Sequence, residues 1–258
     1  MLRFPPAKIN IGLFVTHKRD DGYHDLETIF YPVYSCKDAL EIVPAEGKTT
    51  QLYITGLPVL GAATNNLVMK AYELVEGFVG KPLDPIDIYL HKSIPMGAGL
   101  GGGSADGTYM LRMLNDYYQL GLSLETLLEM SLSLGSDCPF FLNDQPQFAT
   151  GRGEQLSPIE LNLAAYEIRF IIPNIHVTTK TAFQHILPKP ASYDLRKLEV
   201  LDIENWKHYV VNDFETTIFK VHPELQHKKQ QLYDEGALYA AMTGTGSVIY
   251  GIFKKGDR

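Results

Sequence analysis

The stretch Ile94-Pro95-Met96-Gly97-Ala98-Gly99-Leu100-Gly101-Gly102-Gly103-Ser104-Ala105-Asp106-Gly107 decides the fold of this chain. It places five glycines within the seven residues 97–103. Because glycine has no side chain, such a backbone can approach a ligand closely and turn through positive φ. Its exposed N–H groups can then surround an anion. A helical pattern follows directly, and a glycine-rich loop that leads into a helix N-terminus predicts a phosphate site.

Three known glycine-rich loops compete for this pattern. A Walker loop ends in Gly-Lys-Ser/Thr, whereas this loop runs into Ser104 without a lysine. Gly97, Gly99 and Gly102 satisfy G-x-G-x-x-G, but a dinucleotide-binding unit returns to a strand with an acidic residue about 20 residues later. Here a second helical pattern follows the first. The protein-kinase loop fails because neither H-R-D nor D-F-G follows, and the flanking strand and helix patterns disfavour a flexible linker.

The composition bounds the class of protein. The chain has 258 residues and 45% hydrophobic content, which is typical of one or two globular domains. A net charge of −7 without a basic run predicts no nucleic-acid partner. Cys36 and Cys138 form no C-x-x-C pair, which indicates free thiols in a reducing cytosol. The first residues lack a signal-peptide core and no apolar run approaches membrane-spanning length, so we expect a cytoplasmic protein without a membrane partner.

Metal ligands cannot be assigned from the sequence. The eight histidines lack the spacing of a zinc site.

Periodicity places the main elements. Residues 1–60 predict mostly strands, and Asn65 or Asn66 is predicted to cap a helix. The alternation of Ile86, Ile88 and Leu90 predicts a strand before the glycine loop. Two helices are expected after the loop, the second with Ser123 as a possible cap and an end near Gly135. From about residue 160 the pattern changes to a smaller α+β half, with a polar segment at 188–205. Its predicted elements are strands near 168–172, 237–242 and 248–253 and helices near 178–186 and 222–235.

Two charged residues are candidates for chemistry. A lone strand lysine such as Lys8 is most often solvated, but it shares a strand face with Asn10, which also suits a site. Asp137 follows a helix and precedes a proline, so it suits a turn or cap. It also suits a general base that takes a proton from a hydroxyl nucleophile, and a lysine near it would keep it ionised.

Two further segments have an ordinary and a functional interpretation. Tyr23-His24 either packs at a turn or stacks on and hydrogen-bonds a planar base. The segment Thr243-Gly244-Thr245-Gly246-Ser247 is usually a hairpin turn. Its two glycines and three hydroxyls also suit a second anion contact.

Three segments resemble the motifs of GHMP kinases: Pro6 to Leu13, Pro95 to Ser104 and Met242 to Ser247. Two further segments, Asp21 to Phe30 and Gly135 to Phe141, are similar to the branch whose acceptor is methylerythritol linked to cytidine diphosphate. The resemblance extends from about residue 5 to 253. It implies an ATP-dependent kinase for the 2-hydroxyl of that substrate in the non-mevalonate (methylerythritol phosphate) route to isopentenyl diphosphate.

The resemblance also implies the architecture. The expected fold class is α+β, a two-domain GHMP-kinase fold with the active site in the cleft between the halves. The N-terminal half, 1–155, is expected to be ribosomal-protein-S5-domain-2-like, and the C-terminal half, 156–258, ferredoxin-like. ATP with Mg²⁺ is the expected cofactor, and the expected state is a monomer or weak homodimer.

Site residues carry over by position. Lys8 and Asp137 match the catalytic pair. Asn10, Tyr23 and His24 match substrate contacts, the last two at the cytosine, and Thr179 and Phe183 align with further cytidine contacts. Nucleotide-binding residues match at Asn66, Lys92, Pro95, Met96, Gly97, Ala98, Gly99, Leu100, Gly101, Gly102, Gly103, Ser104 and Ala105. Relatives often carry a second serine where Ala105 stands, which leaves Ser104 as the one hydroxyl there.

Two other functions are alternatives to the kinase activity that the resemblance implies. A homoserine or mevalonate kinase of the same superfamily does not need Tyr23-His24. A nucleotide-binding regulator without catalysis does not need both Lys8 and Asp137. ADP release with and without the cytidylated substrate distinguishes the three.

Overall fold

A computed structural model describes residues 1–59, 65–184 and 186–256. These residues form two compact units. Unit 1 comprises Met1–Ala7, Val33–Met96 and Gly101–Asp144, and unit 2 comprises Lys8–Pro32, Gly97–Leu100 and Gln145–Arg258. The chain therefore passes between the units several times, and the glycine-rich loop contributes residues to both.

Five consecutive strands open the chain, and helices and strands follow in mixed order. The strands are β1 (Leu2–Arg3), β2 (Pro6–Lys18), β3 (His24–Lys37), β4 (Ala39–Pro44), β5 (Gln51–Gly56), β6 (Ile86–Lys92), β7 (Gln147–Thr150), β8 (Gln155–Pro158), β9 (Tyr166–Ile171), β10 (Tyr239–Met242) and β11 (Ile249–Lys254). The helices are α1 (Leu67–Val79), α2 (Gly102–Tyr117), α3 (Leu124–Leu134), α4 (Thr179–Gln184), α5 (Ile203–Trp206), α6 (Asp213–Val221) and α7 (Pro223–Asp234). Short 3₁₀ helices cover Cys138–Leu142 and Leu195–Glu199.

Unit 1 packs three helices with a four-stranded sheet of order β1-β4-β6-β5. In β6, alternate residues point to opposite faces, so Ile86, Ile88, Leu90 and Lys92 are all buried. The same alternation that buries three apolar side chains therefore buries one lysine at the end of the strand. Helices α1 and α2 pack closely at Gly107, because a Cβ there would lie 2.9 Å from Cβ of Leu67.

Unit 2 contains the other two sheets, of order β2-β3-β7-β8 and β10-β11-β9. Its core forms where α6 and α7 pack on β10 and β11, with Phe214, Leu225, Met242 and Ile249 among the buried residues. The first ten residues of β2 are buried on both faces. The strand face that Lys8 shares with Asn10 is therefore not directed to solvent, and Lys8 is a buried lysine.

The structure confirms the strand, glycine loop and two helices predicted around residues 86–134. Asn66 caps α1 by accepting from the N–H of Val68, and Ser123 caps α3 by accepting from that of Thr126. The helix predicted at 178–186 is shorter, as α4, and residue 185 lies outside the described residues. The prediction missed α5 and α6. The domain boundary at 155/156 stays a prediction.

Candidate active site

The glycine-rich loop has a left-handed backbone at every second residue. Gly97, Gly99 and Gly101 have φ of 63°, 82° and 71°, whereas Ala98 and Leu100 between them have no positive φ. Such alternation turns successive N–H groups toward one concave side, an arrangement that binds anions. The loop geometry therefore requires glycine at alternate positions.

The first half of the loop is held inside unit 2 by backbone and hydroxyl contacts. The N–H of Lys8 donates to the carbonyl of Leu100 over 2.8 Å. The Thr243 hydroxyl donates to the carbonyl of Gly99 over 3.0 Å. A Cβ at Gly99 would lie 2.0 Å from the Thr243 carbonyl oxygen, so the backbones approach too closely for any side chain. The predicted third motif thus supports the loop through Thr243.

The second half of the loop begins α2 in unit 1. Gly101 is the N-cap, and the first helical residues are Gly102, Gly103 and Ser104, with no acidic residue in the first turn. The first N–H groups of a helix have no intrahelical acceptor, and the helix dipole favours negative charge there. A Cβ at Gly103 would meet nothing within 4 Å, so the helix start is open at this position.

Lys8 lies in a polar cluster within unit 2. Its Nζ donates to Oδ1 of Asn10 over 2.7 Å and lies 4.8 Å from the ring centroid of Phe30. Nδ2 of Asn10 donates to the Thr28 hydroxyl over 3.0 Å, and the backbone N–H of Asn10 donates to Thr243 Oγ1 over 3.1 Å. Both atoms of the Asn10 amide are therefore directed by named partners, which fixes the direction of the lysine.

Asp137 belongs to unit 1 and immediately precedes the 3₁₀ helix Cys138–Leu142. The N–H of Cys138 donates to the carbonyl of Gly135 over 3.1 Å. The Thr108 hydroxyl of α2 donates to the carbonyl of Cys138 over 2.9 Å. Since Lys8 belongs to unit 2, the pairing of Lys8 with Asp137 stays a prediction.

Lys92 is buried between two aspartate side chains in unit 1. Its Nζ donates to Oδ2 of Asp38 and, over 2.6 Å, to Oδ2 of Asp106. Burial lowers the pKa of Lys92, but the charges and hydrogen bonds of Asp106 and Asp38 raise it on balance. Oδ1 of Asp38 accepts the N–H groups of Ser93 and Ile94 over 2.5 and 2.8 Å. Asp38 therefore anchors the chain where it enters the glycine-rich loop.

A cavity of about 140 Å³ in unit 1 brings several predicted nucleotide residues together. Its described lining residues are Val59, Asn65, Asn66, Leu67, Lys92, Met96, Gly103 and Asp106. Oδ1 of Asn66 is occupied by the N-cap hydrogen bond to Val68, over 2.9 Å. The cavity therefore joins Asn66 and Lys92, both predicted near the adenosine, with the start of α2.

The predicted cytidine residues lie in unit 2 as a partly exposed aromatic group. The rings of His24 and Phe183 stack with centroids 4.9 Å apart, and Phe183 packs edge-on against Phe214 of the core at 4.8 Å. Tyr23 is 57% exposed, and the Arg152 guanidinium lies 5.0 Å from its ring centroid. Burial, and then the charge of Lys18, lower the pKa of His24 below its usual value.

Thr179 is the first residue of α4 and is exposed. It lies on the same short helix as Phe183, so α4 carries both of the cytidine candidates that the resemblance places in this segment. Pro95 and Met96 precede the loop in unit 1, and Ala105 is buried in α2.

Several supporting residues were missed from the sequence. Asp38 and Asp106 both accept hydrogen bonds from Lys92, yet they lie 54 and 14 residues from it in the sequence. The signal available for Asp106 was its place within the helix that starts at the glycine loop.

Across the described residues we find no group of three or more histidine, cysteine or acidic side chains able to hold a metal ion. Among the helices that the structure describes, none has the length and apolarity needed to cross a membrane.

Family models, curated relatives and a solved structure all match this chain to GHMP kinases. Residues 66–145 match the GHMP kinases N terminal domain, and residues 194–258 match the GHMP kinases C terminal model. A Bacteroides thetaiotaomicron protein named 4-diphosphocytidyl-2-C-methyl-D-erythritol kinase is 45% identical over 98% of this chain and 92% of its own length. A crystal structure of 4-(cytidine 5'-diphospho)-2C-methyl-D-erythritol kinase superposes with a TM-score of 0.82 and 30% identity, covering 98% of this chain and 90% of its own. The mevalonate kinase of Methanococcus jannaschii is similar in fold alone, with a TM-score of 0.73 and 13% identity over 99% of this chain and 91% of its own.

Proposed function

Because this chain belongs to the 4-diphosphocytidyl-2-C-methyl-D-erythritol kinase family of the GHMP kinases, we propose that it phosphorylates that substrate. The enzyme transfers the γ-phosphoryl group of ATP to the 2-hydroxyl and yields the 2-phosphate and ADP. The observation that carries the proposal is the 45% identity to a relative of that name over 98% of the chain. The reaction is a step in the methylerythritol phosphate route to isopentenyl diphosphate.

ATP binds along the glycine-rich loop and the start of α2. The left-handed glycines at 97, 99 and 101 support a ring of N–H donors for the phosphates. The open first turn of α2, with Ser104 as its hydroxyl, continues that surface. The adenosine lies toward the cavity that Asn66 and Lys92 line.

For phosphoryl transfer, the protein must align the acceptor hydroxyl, hold the phosphates and stabilise the charge on the transferring group. Asp137 is the general base that accepts the proton of the substrate hydroxyl as the new P–O bond forms. Lys8, oriented by Asn10, keeps that carboxylate ionised and stabilises charge on the transferring group. Asn10 also contacts the substrate.

The aromatic group of unit 2 binds the cytosine. His24 and Phe183 are already stacked on one another, and the exposed Tyr23 offers a further ring. The lowered pKa of His24 favours its neutral imidazole, in which one ring nitrogen donates and the other accepts. Thr179 contacts the same nucleoside from the start of α4.

The proposal extends to the metal ion, the cellular compartment and the oligomeric state. Mg²⁺ would enter with the nucleotide and would neutralise part of the phosphate charge, since Mg²⁺ keeps several waters and needs few protein ligands. The thiols of Cys36 and Cys138 are free, which suits a cytoplasmic enzyme. The protein acts as a monomer or weak homodimer.

ADP release over a panel of alcohols tests the proposal. We expect release with the cytidylated methylerythritol, and none above background with homoserine, mevalonate or no acceptor. Phosphorus NMR of the product should show a new phosphomonoester beside an intact diphosphate. Comparable release with homoserine or mevalonate would contradict the substrate assignment, and ATP binding without release for any alcohol would indicate a regulator.

A further inference from the structure

The residue after the proposed base is held from three sides within unit 1. The N–H of Cys138 donates to the carbonyl of Gly135, and its carbonyl accepts the Thr108 hydroxyl over 2.9 Å. Its thiol contacts the Ser104 and Thr108 hydroxyls, which partly offset the burial that raises the pKa of Cys138 to about 11. A neutral thiol at physiological pH packs as a small apolar group. The position of the Asp137 main chain is therefore set by its neighbour.

Both hydroxyls come from one face of α2. Ser104 and Thr108 are four residues apart, and side chains at that spacing lie on the same side of a helix. Ser104 is in the first turn of α2, where the proposed phosphate-binding surface ends. Thr108 is fully buried, so its hydroxyl hydrogen bond is protected from water. One rigid helix thus joins the phosphate-binding turn to the segment of the proposed base.

The far end of that segment is attached to the same helix. Arg112 donates to the carbonyl of Phe141 over 3.2 Å and to Oδ2 of Asp144 over 3.1 Å. The Tyr109 hydroxyl donates to the same Asp144 oxygen over 2.5 Å. Because α2 holds both ends of residues 138–144, this segment cannot shift independently of the helix.

We propose that Thr108 is a positioning residue for Asp137, which it places relative to the first turn of α2 through the Cys138 main chain. The inference rests on the proposed function, in which Asp137 is the base. Its physical basis is that phosphoryl transfer requires the base, the acceptor hydroxyl and the γ-phosphate in one alignment. The thiol of Cys138 and the hydroxyl of Thr108 take no part in the chemistry.

Thr108→Val tests the inference because it removes the hydroxyl and preserves the shape of the side chain. We expect kcat to fall by about ten- to a hundredfold, the usual scale for a misplacement of about 1 Å, while KM for ATP stays within about twofold. Thr108→Ser retains the hydroxyl and should recover most of the loss. If the valine variant does not fold, Thr108→Ala removes the same hydroxyl with the highest helix propensity.

Ser131→Ala is the matched control. Ser131 is also fully buried in unit 1 and its hydroxyl donates to the Leu128 carbonyl over 2.8 Å, but within its own helix. It should lower the melting temperature and leave kcat unchanged. When Thr108→Val is added to Asp137→Asn, kcat should fall by less than about a further twofold, because the effects of groups that act as a unit are not additive.

The inference would be overturned by unchanged kcat in Thr108→Val, by no recovery in Thr108→Ser, or by an equal loss of kcat when Thr108→Val is added to Asp137→Asn. A parallel rise of KM for ATP would also overturn it, because Thr108 would then build the nucleotide loop. Two other results would contradict the proposed function itself. One is that the unmutated enzyme releases no ADP with the cytidylated substrate, and the other is that the Asp137→Asn enzyme keeps full turnover.

Discussion

Lys8 Nζ donates a hydrogen bond to Oδ1 of Asn10 over 2.7 Å, and each of the two residues is 3% exposed. The amide cannot rotate freely, since its Nδ2 donates to Thr28, whose own hydroxyl donates to the carbonyl of Gly12 over 2.5 Å. The lysine is therefore preset before any ligand binds. Preorganised charge is the form of stabilisation that contributes most to transition states.

Lys8→Met should abolish most turnover and preserve the fold. Methionine keeps a flexible stem of similar length but removes the charge and the hydrogen bond to Asn10. Loss of one preorganised donor typically lowers kcat by about 10²–10³-fold, and ATP binding should survive. Steady-state ADP release with excess of both substrates measures this, with nucleotide affinity by calorimetry.

The exposed Lys254 at the end of β11 supplies the control, and Lys254→Met should keep wild-type turnover. Asp137→Asn alone should lower kcat by about 10²–10⁴-fold, the range of general-base catalysis. The Lys8→Met/Asp137→Asn double variant should be little worse than the worse single variant. Near-native turnover in Lys8→Met would assign Lys8 to structure alone.

Gly103→Ala should weaken ATP binding without weakening the fold. A Cβ at this position meets nothing within 4 Å, and alanine is about 1 kcal/mol better than glycine within a helix. If the phosphates approach the first turn of α2, the added methyl group occupies their space. Calorimetric titration with ATP should show lower affinity, while thermal unfolding shows an equal or higher melting temperature.

Gly99→Ala is the contrasting variant. Its Cβ would lie 2.0 Å from the Thr243 carbonyl oxygen at a φ of 82°, so the backbone must move. Here both the melting temperature and ATP affinity should fall. Normal ATP affinity in folded Gly103→Ala would place the phosphates elsewhere.

The parts predicted from the sequence were those with local signals. The glycine spacing, the caps at Asn66 and Ser123 and the alternation in β6 each act over a few residues, and the structure confirms the elements they predict. The partners of Lys92 were not predictable in this way, since Asp38 lies 54 residues away. Such pairs depend on how strands and helices pack, which no local pattern encodes.

Helix α6 was missed for a different reason. Asn212 caps it by accepting from the N–H of Phe214, and Glu215 follows three residues after the cap. This arrangement is typical of a helix start, yet the sequence pattern predicts no element between the polar segment 188–205 and the helix near 222–235. Lys8 was a candidate from the strand face that it shares with Asn10, but its burial was not predicted, because a lone strand lysine is most often solvated.

Tyr23→Ala should impair binding of the cytidylated substrate selectively. Stacking on a nucleobase contributes about 1–3 kcal/mol per ring, so KM for that substrate should rise about 5- to 150-fold. KM for ATP should stay unchanged. Steady-state kinetics with each substrate varied in turn makes the comparison.

Tyr53→Ala is a suitable control, because Tyr53 is a comparably exposed tyrosine on β5, 45% exposed. It should change neither constant. Phe183→Ala should raise the same KM but also lower the melting temperature, because Phe183 packs against Phe214. A parallel rise of both constants in Tyr23→Ala would assign the residue to structure or to the nucleotide side.

The Asp106 carboxyl sets up a pH dependence of stability. It is buried beside Lys92, and its Oδ1 has no hydrogen-bond partner in the part of the chain that the structure describes. Burial raises its pKa to about 8, although the charge of Lys92 opposes the shift. In the unfolded chain an aspartate has a pKa of about 3.9. The folded state therefore binds this proton more tightly, and the resulting stabilisation is lost as the pH rises through about 8.

Asp106→Asn should therefore flatten the pH profile of stability. We expect the free energy of unfolding of the wild-type protein to fall between pH 5 and pH 8, by at most about 1.4 kcal/mol per pH unit for one group. The variant keeps the shape and lacks the titrating carboxyl, so its slope should be smaller. Urea unfolding at pH 5, 6, 7 and 8 measures both. Asp116→Asn, at the exposed end of the same helix, should leave the wild-type slope intact. Equal slopes in all three proteins would show that Asp106 stays ionised throughout, balanced by Lys92.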